Sequence, residues 1–209
     1  YIGSIPTTKK PQAFVDDHAA PVKGAVTEDF RTAMQQPKVS VHYRFTGDMP
    51  YSIKNKLAMR LLTEALSTRY LTSIREEKGG TYGVHVSGTT TKRPTESYRM
   101  DIQFDTNAEM ADELREIVMQ EIREIAANGP KSEDIEKTRE YLAKQWKNSL
   151  EQNGSWMGYI QELDTFGNDY LADYEQTLRS MTDADVQALA KKMLDDNNLV
   201  QVVMRPAAE

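Results

Sequence analysis

The hydrophobic pattern changes its period near Ser52, and this change constrains the fold more than any other feature of the chain. Residues 39–45, VSVHYRF, alternate apolar and polar side chains, which is typical of a strand buried on one face. Over residues 53–66 the apolar residues instead recur every three or four positions, which predicts a helix with one apolar stripe. The stripe continues to Ile74 and stops near Gly79 and Gly80, where a helix end is expected.

The rest of the chain adds more strands and a largely helical second half. Residues 82–86 and 98–104 alternate, and the turn-forming sequence TTTKRPTE between them predicts an antiparallel pair. Residues 25–34 alternate less well, and we interpret them as the hairpin partner of residues 39–45. The apolar run LVQVVM, residues 199–204, predicts a final buried strand. Apolar stripes predict helices over residues 106–128, 132–150, 155–166, 170–178 and 182–194.

The order of these elements predicts the fold class. Strands, one helix, two strands, several helices and a last strand indicate an α+β protein, a two-layer sandwich with helices packed on one face of a largely antiparallel sheet. A capping-box pattern at Thr106 and Glu109 marks the expected start of the first helix in the second half. Residues 1–23 are proline-containing and have little periodicity, so we interpret them as an extended connector and residues 24–209 as the domain.

Charge and composition exclude several classes of function. The net charge of −6 and the pI near 5.2 leave no basic surplus to neutralise phosphates, so neither nucleic acid nor an anionic membrane is an expected partner. No apolar run approaches the roughly 20 residues that a membrane-spanning helix needs. The chain has no cysteine, which excludes disulfides and thiolate zinc sites. The sequence also has neither a G-x-S-x-G motif nor a phosphate-binding P-loop.

The histidines do not have the spacing of a helical metal site. His18 lies in the connector, and His42 and His85 fall on the outward phase of predicted strands. No pair has the spacing of H-E-x-x-H or H-x-x-E-H. A zinc site between His42 and His85 would require that their strands be neighbours and that a carboxylate supply a third ligand. Solvated strand histidines are the simpler interpretation, so no metal site is predicted in this chain.

Arg75 and Tyr82 stand on opposite sides of the Gly79-Gly80 pair, at the junction between a predicted helix and a predicted strand. A turn at the glycines would bring the guanidinium and the phenol together. Arginine offers a planar fork for a carboxylate or for peptide carbonyls, and a tyrosine hydroxyl can donate a hydrogen bond to a developing oxyanion. Structural roles also remain open, with Arg75 as a cation at a helix C-terminus and Tyr82 on the apolar face of its strand.

The segment SIREEKGGTYGV and the order of elements resemble the C-terminal homologous domain of the insulinase/pitrilysin (M16) zinc peptidases, a group that includes the mitochondrial processing peptidases. That family has an Arg, six intervening residues and a Tyr after a long helix, as Arg75 and Tyr82 have here. YIGSIP, residues 1–6, resembles the tail of a preceding homologous domain. LVQVVMRP near the end resembles the closing strand of the family, so the resemblance covers nearly all of the chain.

The resemblance implies a mechanism that is divided between domains. In this family a zinc-bearing N-terminal domain with the inverted motif H-x-x-E-H activates water for attack on a peptide bond, and the C-terminal half closes a chamber over the substrate. Arg75 is then implied to hold a substrate carbonyl and Tyr82 to support the oxyanion. This chain has no H-x-x-E-H, so zinc and the general base are implied to lie on another domain or on a partner chain. The fragment alone is expected to bind no catalytic zinc and to be inactive.

Three interpretations remain open. The chain is the last domain of a single-chain zinc metalloendopeptidase, the tail of a non-catalytic subunit that pairs with a zinc-bearing subunit, or a structural or assembly module that shares the fold. The first two imply a peptide or unfolded polypeptide as substrate. An H-x-x-E-H upstream in the same reading frame would favour the first, and one in an adjacent gene would favour the second. Bacterial members of the family point to the cell envelope or periplasm, and the sequence leaves the compartment otherwise open.

Overall fold

The computed structural model describes residues 1–6, 8, 10, 13, 15, 20–76, 81 and 83–207, and the side chains of Ile2, Arg75 and Glu76 lie outside this description. The described elements, in chain order, are β1 Ala25–Thr32, β2 Val39–Asp48, α1 Ile53–Tyr70, β3 His85–Thr91, β4 Ser97–Thr106, α2 Ala111–Asn128, α3 Ser132–Ser149, α4 Asn153–Phe166, α5 Tyr170–Ser180, α6 Asp183–Asp196 and β5 Leu199–Pro206. A π-helical segment, Leu71–Glu76, continues α1, and a 3-10 turn spans Ile2–Ser4. None of the described helices is long and apolar enough to cross a membrane.

The strands form one five-stranded sheet in the order β1-β5-β2-β4-β3. β1 runs parallel to β5, and the other neighbouring strands are antiparallel, so the predicted pairing of β3 with β4 is confirmed. The predicted hairpin between residues 25–34 and 39–45 is wrong, because β5 lies between β1 and β2. The apolar β5 suits an interior position with neighbours on both sides, whereas β1 is mostly exposed and suits an edge.

One face of the sheet is buried under helices. α1, α2 and α6 contact the strands and one another, and together they form the covering layer. The side chains that β2 and β4 direct into this layer are at most 4% exposed: Val39, Val41, Tyr43, Phe45, Tyr98, Met100, Ile102 and Phe104. These are the residues that the alternation assigned to the apolar faces. The predicted two-layer α+β fold is confirmed.

α1 packs closely against the edge strand β3. The predicted apolar stripe of residues 53–66 is buried, and Ile74 of the π-helical segment is 0% exposed. A Cβ atom added at Gly88 of β3 would lie 2.5 Å from Met59 Sδ and 2.7 Å from Thr63 Oγ1 of α1. A larger residue at this position would therefore force Met59 or Thr63 to move, whereas glycine lets the strand approach the helix closely.

The predicted capping box at the start of α2 is wrong. Thr106 is the last residue of β4, where it is buried and pairs with Val39. The helix begins at Ala111, after a turn in which Asn107 Oδ1 accepts the backbone N–H of Met110 at 2.9 Å. Strand pairing extends β4 through the position where the local signal predicts a helix, because ladder hydrogen bonds and burial outweigh one capping interaction.

Aromatic rings join the outer helices α3, α4 and α5 to one another, and an ion pair attaches them to α1. The ring centroid of Trp146 lies 4.4 Å from that of Tyr174 and 5.0 Å from that of Tyr159. Lys56 of α1 pairs with Glu162 of α4, with 2.8 Å between Nζ and Oε1. These contacts fix the outer helices on the side of α1, so none of the described helices packs on the opposite face of the sheet.

Candidate functional site

No described helix covers the second face of the sheet, which we call the open face. It carries the alternate strand residues that point away from the helices. On β2 these are Ser40, His42 and Arg44, which are half-buried or exposed, as the alternation predicted. The register places Asp105 opposite Ser40 and Asp101 opposite Arg44 on β4. The open face is therefore largely polar along its β2 and β4 strands.

A groove of about 510 Å³ lies on the open face. β1 and β5 give it an apolar wall, and β2, β4 and β3 give it a polar wall. Thr81 and Gly83, which precede β3, line it as well. The apolar wall is formed by Phe30, Val202 and Met204, and the polar wall by Ser40, His42, Gln103, Asp105 and His85. This arrangement offers both apolar contacts and hydrogen-bonding groups to a ligand.

Asp101 is the most buried carboxylate beside the groove, with 9% of the residue exposed. Its Oδ1 accepts a hydrogen bond from Arg44 Nε at 2.7 Å and lies 2.9 Å from His42 Nε2, while Arg99 Nε lies 2.9 Å from Oδ2. Burial alone would raise the pKa of Asp101, but the hydrogen bonds with Arg44 and His42 and the charges of Arg44 and Arg99 together lower it. The group therefore stays an acceptor-only carboxylate at neutral pH.

Asp105 is held in a similar way on the polar wall of the groove. Lys38 Nζ donates to its Oδ2 and Ser40 Oγ donates to its Oδ1, both at 2.6 Å. Burial raises the pKa of Asp105, but the hydrogen bonds from Lys38 and Ser40 and the charge of Lys38 together lower it below its usual value. Because Lys38 neutralises this carboxylate, the wall is polar without being strongly acidic there.

His42 and His85, the histidines that the structure describes, are not arranged as a zinc site. β4 lies between the strands of His42 and His85, and Gln103 is in register with both of them. His42 is engaged by Asp101, and the described part of the chain contains no group of at least three His, Cys, Asp or Glu residues that could hold a metal ion. The sequence itself has no H-x-x-E-H motif. In the part of the chain that the structure describes, His42 and His85 are thus not arranged to hold a catalytic zinc ion.

The two residues that the sequence singled out are only partly covered by the structure. The backbone of Arg75 belongs to the π-helical segment after α1, but its side chain lies outside the described residues, as does the whole of Tyr82. The residues on either side of Tyr82 are described. Thr81 Oγ1 accepts the backbone N–H of Gly83 at 3.3 Å, and both residues line the groove. Convergence of Arg75 and Tyr82 stays a prediction.

Several residues of the site were missed by sequence reasoning. Phe30 and Met204 are neighbours only because β1 pairs with β5, which local patterns do not reveal. Arg44, Arg99 and Asp101 do have a sequence signal, since charged residues on the outward phase of adjacent strands are candidates for cross-strand pairs. The pairing of Arg44 with Asp101 required the register of β2 against β4, whereas Arg99 and Asp101 are two residues apart on the same strand.

The fold and the site together define the class of protein: a two-layer α+β domain with a groove on the open face of its sheet. The chain belongs to the peptidase M16 family, because the family described as the peptidase M16 inactive domain matches residues 1–142. This confirms the resemblance to the C-terminal domain of the insulinase/pitrilysin peptidases.

Individual relatives agree with this assignment. The chain is 26% identical over 175 residues to a zinc protease PQQL-like protein of Arabidopsis thaliana, covering 77% of this chain and 18% of that protein. It superposes on the periplasmic protease PqqL of Escherichia coli with a TM-score of 0.80, 19% identity and coverage of 99% of this chain and 23% of PqqL. For the ferredoxin protease FusC, solved in complex with Arabidopsis ferredoxin, the TM-score is 0.83 with 17% identity, covering 100% of this chain and 23% of FusC.

A shorter protein of known structure also superposes on this chain. The peptidase M16 inactive domain of Pseudomonas fluorescens has a TM-score of 0.74 and 22% identity, covering 96% of this chain and 48% of that one. At these identities the solved structures establish the fold of the chain. The chain spans 18% of the Arabidopsis protein and 23% of FusC and PqqL, so it corresponds to about a quarter or less of these relatives.

Proposed function

We propose that this domain holds an extended peptide for a zinc metalloendopeptidase whose zinc and general base lie on another domain or on a partner chain. The observation that carries the proposal is the groove on the open face, in a chain of the M16 family whose described residues include no group that fits a zinc site. The domain closes the substrate chamber and contributes binding. Hydrolysis requires the zinc-bearing part, and the isolated domain is inactive.

The walls of the groove suit an extended polypeptide. Side chains of an extended peptide project alternately to opposite sides. Those on one side contact the apolar wall at Phe30, Val202 and Met204, and the peptide groups face the polar residues of β2 and β4, such as Ser40 and Gln103. Contacts of this kind select for an extended, unfolded segment more than for one particular side chain.

Arg75 and Tyr82 act beside this groove in the proposed function. The Arg75 guanidinium holds a carbonyl of the substrate backbone, and the Tyr82 hydroxyl donates to the oxyanion that forms during attack. Support comes from the family motif in the sequence and from the position of Thr81 and Gly83, the sequence neighbours of Tyr82, on the lining of the groove.

A pair of methionine substitutions tests peptide binding to the groove. Met204 lies on the apolar wall, and Met157 is 70% exposed on α4 in the helical layer. We expect Met204→Glu to weaken binding of an acetylated and amidated peptide of about ten residues with alternating Leu and Ser by roughly tenfold, because apolar contact is lost. Fluorescence anisotropy of the labelled peptide against the purified chain measures the affinity.

Met157→Glu is the matched control and should leave the affinity unchanged. Circular dichroism and the urea midpoint establish that both variants remain folded. An equal loss of peptide affinity in Met204→Glu and Met157→Glu would refute the groove as the peptide site. So would the absence of peptide binding to the unsubstituted chain.

A further inference from the structure

The cluster around Asp101 carries more positive than negative charge. Two guanidinium groups, those of Arg44 and Arg99, approach a single carboxylate, that of Asp101. The chain as a whole has a net charge of −6, so this local surplus has the opposite sign to the rest of the molecule. A positive spot on an acidic protein directs an approaching anion to one place, because the remaining surface repels it.

Arg44 and Arg99 both have N–H donors that Asp101 does not use. Each is held to Asp101 through Nε, and among the described residues their terminal amino groups make no further hydrogen bond or ion pair. The side chains of Arg44 and Arg99 are 45% and 52% exposed, whereas that of Asp101 is 13% exposed. The buried carboxylate therefore holds the two guanidinium groups in place through Nε, and their terminal N–H groups are accessible to a ligand. A planar fork of this kind matches a carboxylate.

Apart from Asp105, which pairs with Lys38, the other acidic groups that the strands place on the open face lie too far along the sheet to neutralise the cluster directly. Glu28 is on β1, and β5 separates its strand from β2, which places it about two strand spacings of roughly 4.8 Å from His42. Asp48 lies four residues beyond Arg44 on β2, opposite Ser97, at about 13 Å along the strand. Both separations are comparable to the screening length of roughly 8 Å at physiological salt.

The cluster is continuous with the groove, because His42 both lines the groove and contacts Asp101. We propose that Arg44 and Arg99 form a carboxylate-binding subsite at the margin of the groove, which takes an acidic side chain or the C-terminal carboxylate of the bound peptide. This inference rests on the proposed function, since it adds a preference to the same peptide site.

Three peptides on one scaffold test the subsite and distinguish the two sources of the carboxylate. The first is the neutral amidated Leu/Ser peptide, the second has a free C-terminal carboxylate, and the third is amidated with one internal Glu. We expect at least one of the charged peptides to bind about fivefold more tightly than the neutral one, as partly exposed charge-assisted bonds allow. The preference should shrink as salt is raised.

Substitutions then assign the preference to the arginines. Arg99→Gln keeps the Arg44–Asp101 pair intact and should remove most of the preference, and adding Arg44→Gln should abolish it. Arg123→Gln removes the same charge from α2, where the side chain is 54% exposed, and should change nothing. The Nε–H signal of Arg44 in NMR spectra should shift with a charged peptide and not with the neutral one.

The outcomes separate the two proposals. Equal affinities for all three peptides, with Met204→Glu still weakening them, would overturn the subsite and leave the groove as the peptide site. A preference that survives in the Arg44→Gln, Arg99→Gln double variant would also overturn it. If none of the peptides binds at all, the proposed function fails and the subsite fails with it.

Discussion

Replacing Tyr82 by Phe should lower both kcat and kcat/KM of the complete peptidase by roughly 10²–10³, the usual cost of removing one oxyanion donor. In the proposed function the hydroxyl acts on charge that develops only in the transition state, so the loss is expected in kcat. Arg75→Ala should lower kcat/KM by a similar factor and also raise KM, since a guanidinium that holds a substrate carbonyl contributes to ground-state binding as well. Steady-state hydrolysis of an unfolded peptide substrate measures both parameters.

Matched substitutions in the helical layer control for indirect effects. Tyr141→Phe removes a hydroxyl from a side chain that is 50% exposed on α3, and Arg123→Ala removes a guanidinium from α2. Both should leave the kinetics unchanged. If Arg75→Ala and Tyr82→Phe also leave kcat and KM unchanged, and all four variants have the same thermal midpoint, Arg75 and Tyr82 have an ordinary packing role and no role in catalysis.

Tyr98→Ala should cost about 3–5 kcal/mol of the free energy of unfolding, the largest stability change that we expect from a single position. The residue is 2% exposed and joins β4 to the end of α6, where its hydroxyl donates to Asp196 Oδ2 at 2.8 Å. Burial, and then the hydrogen bond to Asp196, raise the pKa of Tyr98, so the phenol stays a neutral donor. Urea denaturation followed by circular dichroism gives the free energy of unfolding.

Tyr98→Phe separates the ring from its hydroxyl. It keeps the packing and removes one hydrogen bond, so it should cost only about 1 kcal/mol, because Asp196 retains Lys192 as a partner at 2.9 Å. Close packing around the ring adds to the cost of the larger change: a Cβ atom at Gly47 would lie 2.5 Å from Tyr98 Cε1. Equal costs for the two variants would show that the ring contributes little to the core.

The inward faces of the sheet were predictable from sequence, because alternation depends only on local geometry. Val41 and Tyr43 on β2, and Met100 and Ile102 on β4, occupy the buried positions that the pattern indicates. The order of the strands was not predictable in the same way. The sequence neighbours β1 and β2 suggest a hairpin, but the pairing of β5 between them depends on contacts between segments at opposite ends of the domain.

The same distinction applies to the candidate site. Arg75 and Tyr82 came from a short motif that the family shares, and their geometry stays a prediction. Phe30 and Met204 carry no motif, and they meet only through the parallel pairing of β1 with β5. Asp101 illustrates an intermediate case. Its outward position and its contact with Arg99, two residues earlier on the same strand, follow from the alternation, whereas its contacts with Arg44 and His42 depend on the register of β2 against β4.

Photo-cross-linking from the open face tests most directly whether the substrate lies there. p-Benzoylphenylalanine in place of Phe30, which is 45% exposed on β1, is compared with the same residue in place of Tyr141, which is 50% exposed on α3. In the complete peptidase, irradiation with a labelled unfolded peptide should give an adduct at position 30 and none at position 141. Cleavage of the peptide with no adduct at position 30, or with equal yields of adduct at positions 30 and 141, would contradict a substrate path along the open face.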